Sequence, residues 1–413
     1  MSGTLRNDCF ALPPGVDWTP VNEALDRLTK ALDTVAQVET VPILDALGRV
    51  LAENVVALRS HPAHRNSAVD GYAVAFEDDA RRFDLLDGVA AAGRPFEGDL
   101  QTGSAVRIFT GAKVPEGTDA VILQEEAKEA DRVVSIDAPA KQGANIRSIG
   151  EDTLAGDVVL SKGTRLSERG QALAISTGVA RVACFKPLTV GVLSTGDELA
   201  MTGSSTEDYQ VFDANRPMLR AVLQRWGYTV RDLGQVSDDA NHVEALLRDA
   251  IQTCDAILTS GGASAGDEDH ISSVLGQFAD RHTWRIAVKP GRPLALANWD
   301  GVPIFGLPGN PIAAYVCTLI FARPALRILQ GLTVRAPQGF DLPAGFSKSK
   351  KHGRSEYPRA RVTGAGKVEL FRSEGSGRVS GLEWADGLVE LPHQGMDIAE
   401  GDLVHYIPFT SFD

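Results

Sequence analysis

Cysteine is scarce in this chain, and the little there is forms no pattern. Cys9, Cys184, Cys254 and Cys317 lie far apart with no C-x-x-C among them, which excludes a zinc ribbon and a disulfide framework and predicts reduced, buried thiols. Basic charge is also short. The 41 Lys and Arg against 54 Asp and Glu leave a net charge of −13, which argues against a nucleic-acid-binding surface, because neutralising phosphates takes a basic face. An anionic substrate would need a local basic patch or a cation. No n-region and h-region open the sequence, and no apolar run approaches the roughly 18 residues of a membrane span. A cytoplasmic protein without a membrane partner is expected.

Several catalytic signatures are missing too. There is no G-x-x-x-x-G-K-[ST], and Gly261-Gly262…Gly266 does not match G-x-G-x-x-G, so nucleotidase P-loops and dinucleotide folds find no support. Ser194, Ser260 and Ser264 lack a G-x-S-x-G elbow. His61 and His64 sit in a Pro-containing loop without Cys or a third ligand, which makes a zinc site unsupported.

What is present is a chain of 413 residues, too long for one core, so two to four domains are expected. Behind Thr19 and Pro20, apolar residues from Val21 to Val35 recur at helical spacing, and a second short helix is expected over Ile43–Asn54. Short β-like runs at Ala105–Thr110, Ala120–Gln124 and Arg132–Ile136 predict a small β-rich domain, and a helix over Ser167–Thr177 closes this half. From Leu188 onward apolar strands alternate with helices, the pattern of a doubly wound sheet. Strands are expected at Leu188–Ser194, Tyr228–Leu233, Asp255–Ser260, Trp284–Val288, Leu294–Ala297 and Val302–Phe305. Helices are expected at Asn215–Trp226, Ala240–Gln252 and Ile271–Phe278, with a long one over Pro311–Leu329 interrupted at Pro324. A linker, Gly331–Phe340, leads to a terminal β-domain over Leu342–Asp413.

The fold class this predicts is multidomain α/β. A central doubly wound, three-layer α/β domain with a mostly parallel sheet is joined by an inserted small β-rich domain, an N-terminal helical segment and a C-terminal β-barrel-like domain. The expected boundaries are 19–58 plus 144–182 for an elongated N-terminal linker domain, 59–143 for the inserted domain, 183–331 for the α/β domain and 332–413 for the C-terminal domain.

The chain is organised around Thr259–His270, T-S-G-G-A-S-A-G-D-E-D-H, which follows the apolar Ala256-Ile257-Leu258. A strand that delivers its C-terminal end to such a loop is where open α/β sheets place ligands. Gly261, Gly262 and Gly266 let backbone N–H groups approach an anion, while Asp267, Glu268 and Asp269 put carboxylates beside it. Anion donors next to acids suggest a metal between them. Three further loops share this rim: Ser194–Glu198, Ser237-Asp238-Asp239 and Gly306–Pro311, with Lys289–Pro293 bringing Lys289 and Arg292. Candidate binding residues are Ser260, Gly261, Gly262, Ser264, Gly266, Arg292, Pro308 and Gly309. Taken alone, Asp238 or Asp239 reads as a helix cap and Gly306–Pro311 as a tight turn. Gathered on one sheet edge, they lie where no core-packing demand puts them.

The motifs S-A-V-D-G-Y-A-V, T-G-A-K-V-P-E-G, G-E-D-T-L-A-G-D, S-T-G-D-E-L, D-A-N-R-P-M-L, S-G-G-A-S-A-G-D-E-D-H, K-P-G-R-P-L and G-L-P-G-N-P, in this order, resemble those of the molybdopterin molybdenumtransferase family, that of MoeA and the gephyrin E domain. G-R-S-E-Y-P-R-A at Gly353–Ala360 extends the resemblance into the last domain. The resemblance implies insertion of molybdate into adenylylated molybdopterin with release of AMP and Mg2+ as the assisting divalent cation. It also implies a four-domain homodimer whose site lies between the α/β domain of one chain and the small β-rich domain of its partner. Carried over by position, the catalytic residues are Asp70, Thr110, Asp152, Glu198, Asp238, Asp269 and Lys289. Asp269 with Asp238 or Glu198 would hold the metal, and Lys289 and Arg292 the anionic groups. Implied protein partners are the molybdopterin adenylyltransferase and molybdoenzyme maturation proteins.

Two positions depart from the family pattern. Arg285 stands where relatives commonly carry Lys, which exchanges a compact ammonium for a planar fork, and His270 replaces the usual aromatic. Two alternatives remain open: a molybdopterin adenylyltransferase of the same α/β fold, and a non-catalytic dimeric scaffold.

Overall fold

The computed structural model describes residues 18–237, 239–261, 270–291, 293–375 and 377–413. The chain divides into two compact units, Met1–Glu39 with Phe185–Asp413, and Thr40–Cys184.

The first unit is built on a six-stranded sheet in the order Thr229–Val236, Thr189–Thr195, Ala256–Ser260, Val302–Leu307, Pro293–Trp299, Asp280–Arg285. The first four strands pair in parallel and the last two join antiparallel. The parallel strands are apolar on both faces because helices cover both. Val190, Val192, Ala256 and Leu258 point to one core, with Leu219 and Leu223 of helix Asn215–Arg225 and Leu326 of Arg323–Leu329. Leu193 and Ile257 point to the other, with Val243 and Leu247 of helix Ala240–Ala250 and Leu275 of His270–Phe278. This is the three-layer α/β arrangement anticipated above.

Two elements differ in detail. The strand expected at Trp284–Val288 lies earlier, at Asp280–Arg285, and Val288–Lys289 instead pairs in parallel with Ser355–Glu356. The N-terminal helix ends at Ala31 rather than Val35, and its Val21, Ala24 and Leu28 are buried in the first of these cores.

The stretch Pro311–Leu329 is continuous but not uniform: α-helix over Pro311–Cys317, a π segment over Thr318–Ala322, and α-helix over Arg323–Leu329. Pro324 has no N–H to offer the preceding turn, and the wider π turn before it absorbs the lost bond. By length and composition this stretch could cross a membrane, which qualifies the sequence reading, but 78% of it is buried inside the protein. There, Arg323 Nε donates to Phe412 O at 2.8 Å.

The C-terminal residues form a five-stranded antiparallel sheet, Phe340–Pro343, Leu403–Pro408, Gly387–Glu390, Arg359–Val362, Val368–Leu370. An isolated bridge from Ala344 to Val368 brings its two edges together, giving the barrel-like closure.

The second unit carries a six-stranded sheet in the order Ala120–Leu123, Gly71–Val74, Ser104–Ile108, Arg82–Ala90, Val133–Ile136, Ala127–Ala130. Both its faces are apolar: Ala73, Val106, Ile108 and Val121 on one, Tyr72, Val74, Ala105 and Ile122 on the other. A separate core joins Ile43, Leu51, Val55, Leu166, Ala174 and Val182.

The helix expected over Ile43–Asn54 is not there. A single 3-10 turn, Ile43–Asp45, gives way to strand Val50–Leu51. The cause is non-local: Gly48 N donates to Leu166 O and Leu51 N to Thr164 O, both at 2.9 Å, so the backbone bonds a segment more than a hundred residues away instead of itself. Helix Glu168–Ser176 forms as expected, with the Ser167 side chain accepting from Gly170 N as its cap. Cys184, Cys254 and Cys317 are buried, as their spacing suggested, and burial pushes the Cys317 thiol up to about 12; Cys9 lies outside the described residues.

Candidate functional site

The four parallel strands end together. Thr195 pairs with Val236, Ser194 with Ser260, and Ser260 with Leu307, so the loops that follow open on one edge. The next strand, Pro293–Trp299, runs the other way and therefore begins at this edge, which brings Lys289–Pro293 to the same rim.

Three of the loops meet at Gly261. Its backbone is left-handed, with φ +93, and a Cβ there would stand 2.8 Å from both the carbonyl oxygen and the hydroxyl of Thr195. Only glycine lets the end of strand Ala256–Ser260 come this close to its neighbour. Gly261 N donates to Leu307 O at 3.2 Å. A Cβ on Gly309 would lie 3.8 Å from Gly261 Cα, and one on Gly291 would touch Pro308 at 3.6 Å. Gly261 and Gly309 thus meet across their backbones, and Gly291 lies against the Pro308 side chain.

Asn215 ties this junction from below. Its Nδ2 donates to Ser260 Oγ at 2.7 Å and to Gly309 O at 2.6 Å, with Asn215 only 6% exposed. Asn215→Ala removes both bonds and leaves Ser260 Oγ and Gly309 O short of a donor. The expected cost is about 1–3 kcal/mol of unfolding free energy, read from denaturant melts at unchanged m-value. Asn215 Oδ1 and Ser194 Oγ are buried with no hydrogen-bond partner among the described residues. Two buried oxygens without a protein donor thus lie near the strand ends.

The acids fall into distinct roles. Glu198 is exposed and folds back over Gly196, its carboxyl carbon 2.8 Å from where a Cβ would sit. The loop beneath is held by Gln235 Nε2, which donates to Gly196 O at 3.1 Å and Leu199 O at 2.9 Å. Asp239 caps helix Ala240–Ala250, accepting from Asn241 N at 2.9 Å and His242 N at 3.0 Å, and the bond from His242 N leads in lowering its pKa. Asp238, Gly262, Ser264, Gly266, Asp267, Glu268, Asp269 and Arg292 lie outside the described residues, as does the side chain of Arg285. Among the described residues no three His, Cys, Asp or Glu gather as a metal site. A carboxylate set of Glu198, Asp238 and Asp269 has the oxygen donors that Mg2+ prefers.

Lys289, expected to hold an anionic group, already sits among carboxylates. Its Nζ donates to Glu374 at 2.6 Å and lies 3.7 Å from Glu356, while Lys348 pairs with the same two acids. The four residues line a cavity of about 300 Å³ with Arg359 and Arg372. Burial opposes ionisation of Glu374, but the ammonium groups of Lys289 and Lys348 outweigh it and hold the carboxyl at about 2, against the usual 4.5. A depressed carboxyl pKa stabilises the fold above the unfolded value and loses that contribution as pH falls through the folded one. The melting temperature of Glu374→Gln should therefore lie below that of the parent at pH 6, and the gap should close on acidification from 4.5 toward 2. A pH series of thermal melts reads this. Sequence reasoning missed Asn215, Lys348, Glu356 and Glu374. For Asn215 the available signal is an amide at the start of a helix beside a strand-end loop; the ion pairs span up to 85 residues and leave no local signature.

In the second unit, Asp70 and Thr110 come together. Asp70 Oδ1 accepts from Thr110 N and from Thr110 Oγ1, both at 2.7 Å. The bond from Thr110 N leads in holding the Asp70 pKa down, followed by its hydroxyl. The motif backbones are stitched too: Ser67 N donates to Ala112 O at 3.0 Å and Gly111 N to Ser67 O at 2.9 Å. Asp152 is exposed, and its N donates to His61 O at 3.1 Å.

Residues 19–178 match the family described as "MoeA N-terminal region (domain I and II)", residues 191–328 "Probable molybdopterin binding domain", and residues 341–409 "MoeA C-terminal region (domain IV)". The molybdopterin molybdenumtransferase of Haemophilus influenzae is 34% identical over 397 residues, covering 94% of this chain and 98% of that one. That of Staphylococcus aureus is 30% identical over 401 residues, covering 94% and 95%. Gephyrin of Dictyostelium discoideum is 29% identical over 445 residues and covers 94% of this chain but 62% of its own length. A crystal structure of the molybdopterin biosynthesis MoeA protein from Pyrococcus horikoshii superposes with a TM-score of 0.83 at 26% identity, over 95% of this chain and 100% of that one.

Proposed function

Because the chain belongs to the molybdopterin molybdenumtransferase family, transferases of molybdenum cofactor biosynthesis, we propose that it inserts molybdenum from molybdate into adenylylated molybdopterin and releases AMP. The observation that carries this reading is the common edge at which four parallel strands end, with the loops after Thr195, Ser260 and Leu307 meeting at Gly261 and Gly309 and held by Asn215. Backbone N–H groups on such an edge receive oxyanions and phosphates.

The reaction breaks the phosphoanhydride between the molybdopterin phosphate and AMP. The two dithiolene sulfurs displace two molybdate oxygens, which take up protons and leave as water, and one water adds across the P–O–P bond so that AMP and the molybdopterin phosphate each keep four oxygens. Mg2+, when bound, supplies positive charge to phosphate oxygens that would otherwise be repelled by the acids around them. Glu198, Asp238 and Asp269 are the residues that would hold it. Gly262 and Gly266 would present N–H donors to the anion, the Gly261 N–H being taken by Leu307 O, while Gly261 permits the close approach, Ser260 and Ser264 offer hydroxyls, and Arg285, Arg292 and Lys289 positive charge, with Pro308 and Gly309 shaping the floor. Lys289 takes an anionic substrate group by exchanging it for Glu374. Asp70 with Thr110, and Asp152, contribute further substrate contacts from the partner chain of a homodimer. We place the chain as a homodimer in the cytoplasm, receiving its substrate from a molybdopterin adenylyltransferase and passing product to molybdoenzyme maturation proteins.

Purified protein given adenylylated molybdopterin and molybdate should release AMP, lose that activity on chelation and recover it with Mg2+. Release unaffected by chelation would remove the metal from the account, and no release would remove the reaction.

A further inference from the structure

One face of the second unit carries a cluster that its Asp70–Thr110 pair does not explain. Strands Gly71–Val74 and Ser104–Ile108 are antiparallel with Tyr72 opposite Arg107 and Gly71 opposite Ile108, so continuing the register sets Asp70 across from Phe109. With a period of two, Asp70, Tyr72, Arg107 and Phe109 share one face. The Arg107 guanidinium lies 4.9 Å from the Tyr72 ring centroid and 5.3 Å from that of Phe109. Its Nη2 donates to Gln124 Oε1 at 2.6 Å, and Gln124 Nε2 donates to Glu125 Oε1 at 2.9 Å. Tyr72 is buried and its hydroxyl donates to Glu129 at 2.7 Å, whereas the Phe109 ring is 38% exposed.

The acceptors beside this platform are half used. Thr110 takes Asp70 Oδ1 with two donors, while Oδ2 has no hydrogen bond among the described residues. Glu125 stands near enough for Asp70 to act on its charge. Two carboxylates next to an exposed aromatic ring repel a phosphate but suit a flat ring with an edge of N–H donors.

We propose that this face binds the aminopyrimidinone ring of a pterin, stacked on Phe109 and Arg107, with Asp70 Oδ2 accepting from its N–H edge. Adenine fits less well, because its edge sets a lone pair beside each donor and would face a carboxylate with it. The inference rests on the reading above that the substrate is a molybdopterin. It makes Phe109 and Arg107 substrate-binding residues, contacting a part of the substrate remote from the phosphoanhydride.

The test is direct binding of pterin to the full chain, followed by quenching of pterin fluorescence. Lumazine, in which an oxo group replaces the 2-amino donor, is the comparison ligand, and AMP the competitor. Pterin should bind at least about 10-fold more tightly than lumazine, and Phe109→Ala should weaken pterin about 10-fold, the range of one stacked ring. Phe109→Trp should restore binding, and Asp70→Asn should erase the preference over lumazine. In AMP release from adenylylated molybdopterin, Phe109→Ala should raise KM and leave kcat nearly unchanged. No pterin binding, equal affinity for pterin and lumazine, equal affinity of parent and Phe109→Ala, or displacement of pterin by AMP would each overturn the assignment. AMP release with any of these results would leave the transferase reading standing. Pterin binding with the expected preferences but no AMP release would do the reverse.

Discussion

Gly71→Ala is expected to abolish the cooperative melt of the second unit. Gly71 sits where strands Gly71–Val74 and Ala120–Leu123 pair, and a Cβ there would overlap the Ile122 carbonyl oxygen and lie 2.8 Å from its carbon and 3.2 Å from Gln124 N. These are backbone atoms of the edge strand's only pairing in the sheet, so no side-chain rotation relieves the clash; the strands must part. Parting them breaks the ladder between two strands that bury Ala73, Val74, Val121 and Ile122. Overpacking with backbone displacement at such a site costs upwards of about 3 kcal/mol. Circular dichroism melts, with Gly117→Ala avoided as control because it meets its own backbone clash, should show the loss; Gly364→Ala, where a Cβ meets nothing and the backbone is not left-handed, should show little.

On the proposed role of Asp269 in holding a cation, Asp269→Asn is expected to lower AMP release by about 100-fold or more, since losing one carboxylate from a cation site forfeits several kcal/mol of transition-state stabilisation. On that role the melting temperature should change little. Glu198→Gln should act in the same direction. A large fall in melting temperature accompanying the lost activity would move Asp269 from the chemistry to the fold.

Much of the architecture can be read from residue order. Val190, Val192, Ile257 and Leu258 are apolar on both sides of a strand, which is possible only under helices on both faces, and the glycines and acids that follow mark where those strands end. What was misread shares a cause. Ile43–Asn54 has apolar residues at helical spacing, yet its backbone bonds Thr164 and Leu166, while Leu44 and Leu47 stay exposed. The segment Trp284–Val288 looks like one strand but divides its partners between Pro293–Trp299 and Ser355–Glu356. Pairing across long separations leaves no trace in local spacing.

The same limit applies to the site. The cap at Asp239 and the turn at Gly309 follow from residue types alone, because capping and close approach are local demands. That Asn215 would bond Ser260 and Gly309 together, or that Glu374 would lie on Lys289 and Lys348, depends on segments brought together by folding. The positive charge expected for an anion is present at Lys289, but it is held by an internal carboxylate. An incoming anion must therefore outcompete Glu374, and Glu374→Gln should tighten molybdate binding, as isothermal titration would read.

The central claim is that this chain couples molybdenum insertion to cleavage of the phosphoanhydride. A single-turnover experiment with protein in excess of adenylylated molybdopterin, molybdate and Mg2+ tests it most directly, by quantifying AMP and pterin-bound molybdenum in the same quenched samples. The account predicts that both form together, in equal amounts and with one rate. AMP released without incorporated molybdenum, or molybdenum bound while the adenylyl group stays in place, would contradict it.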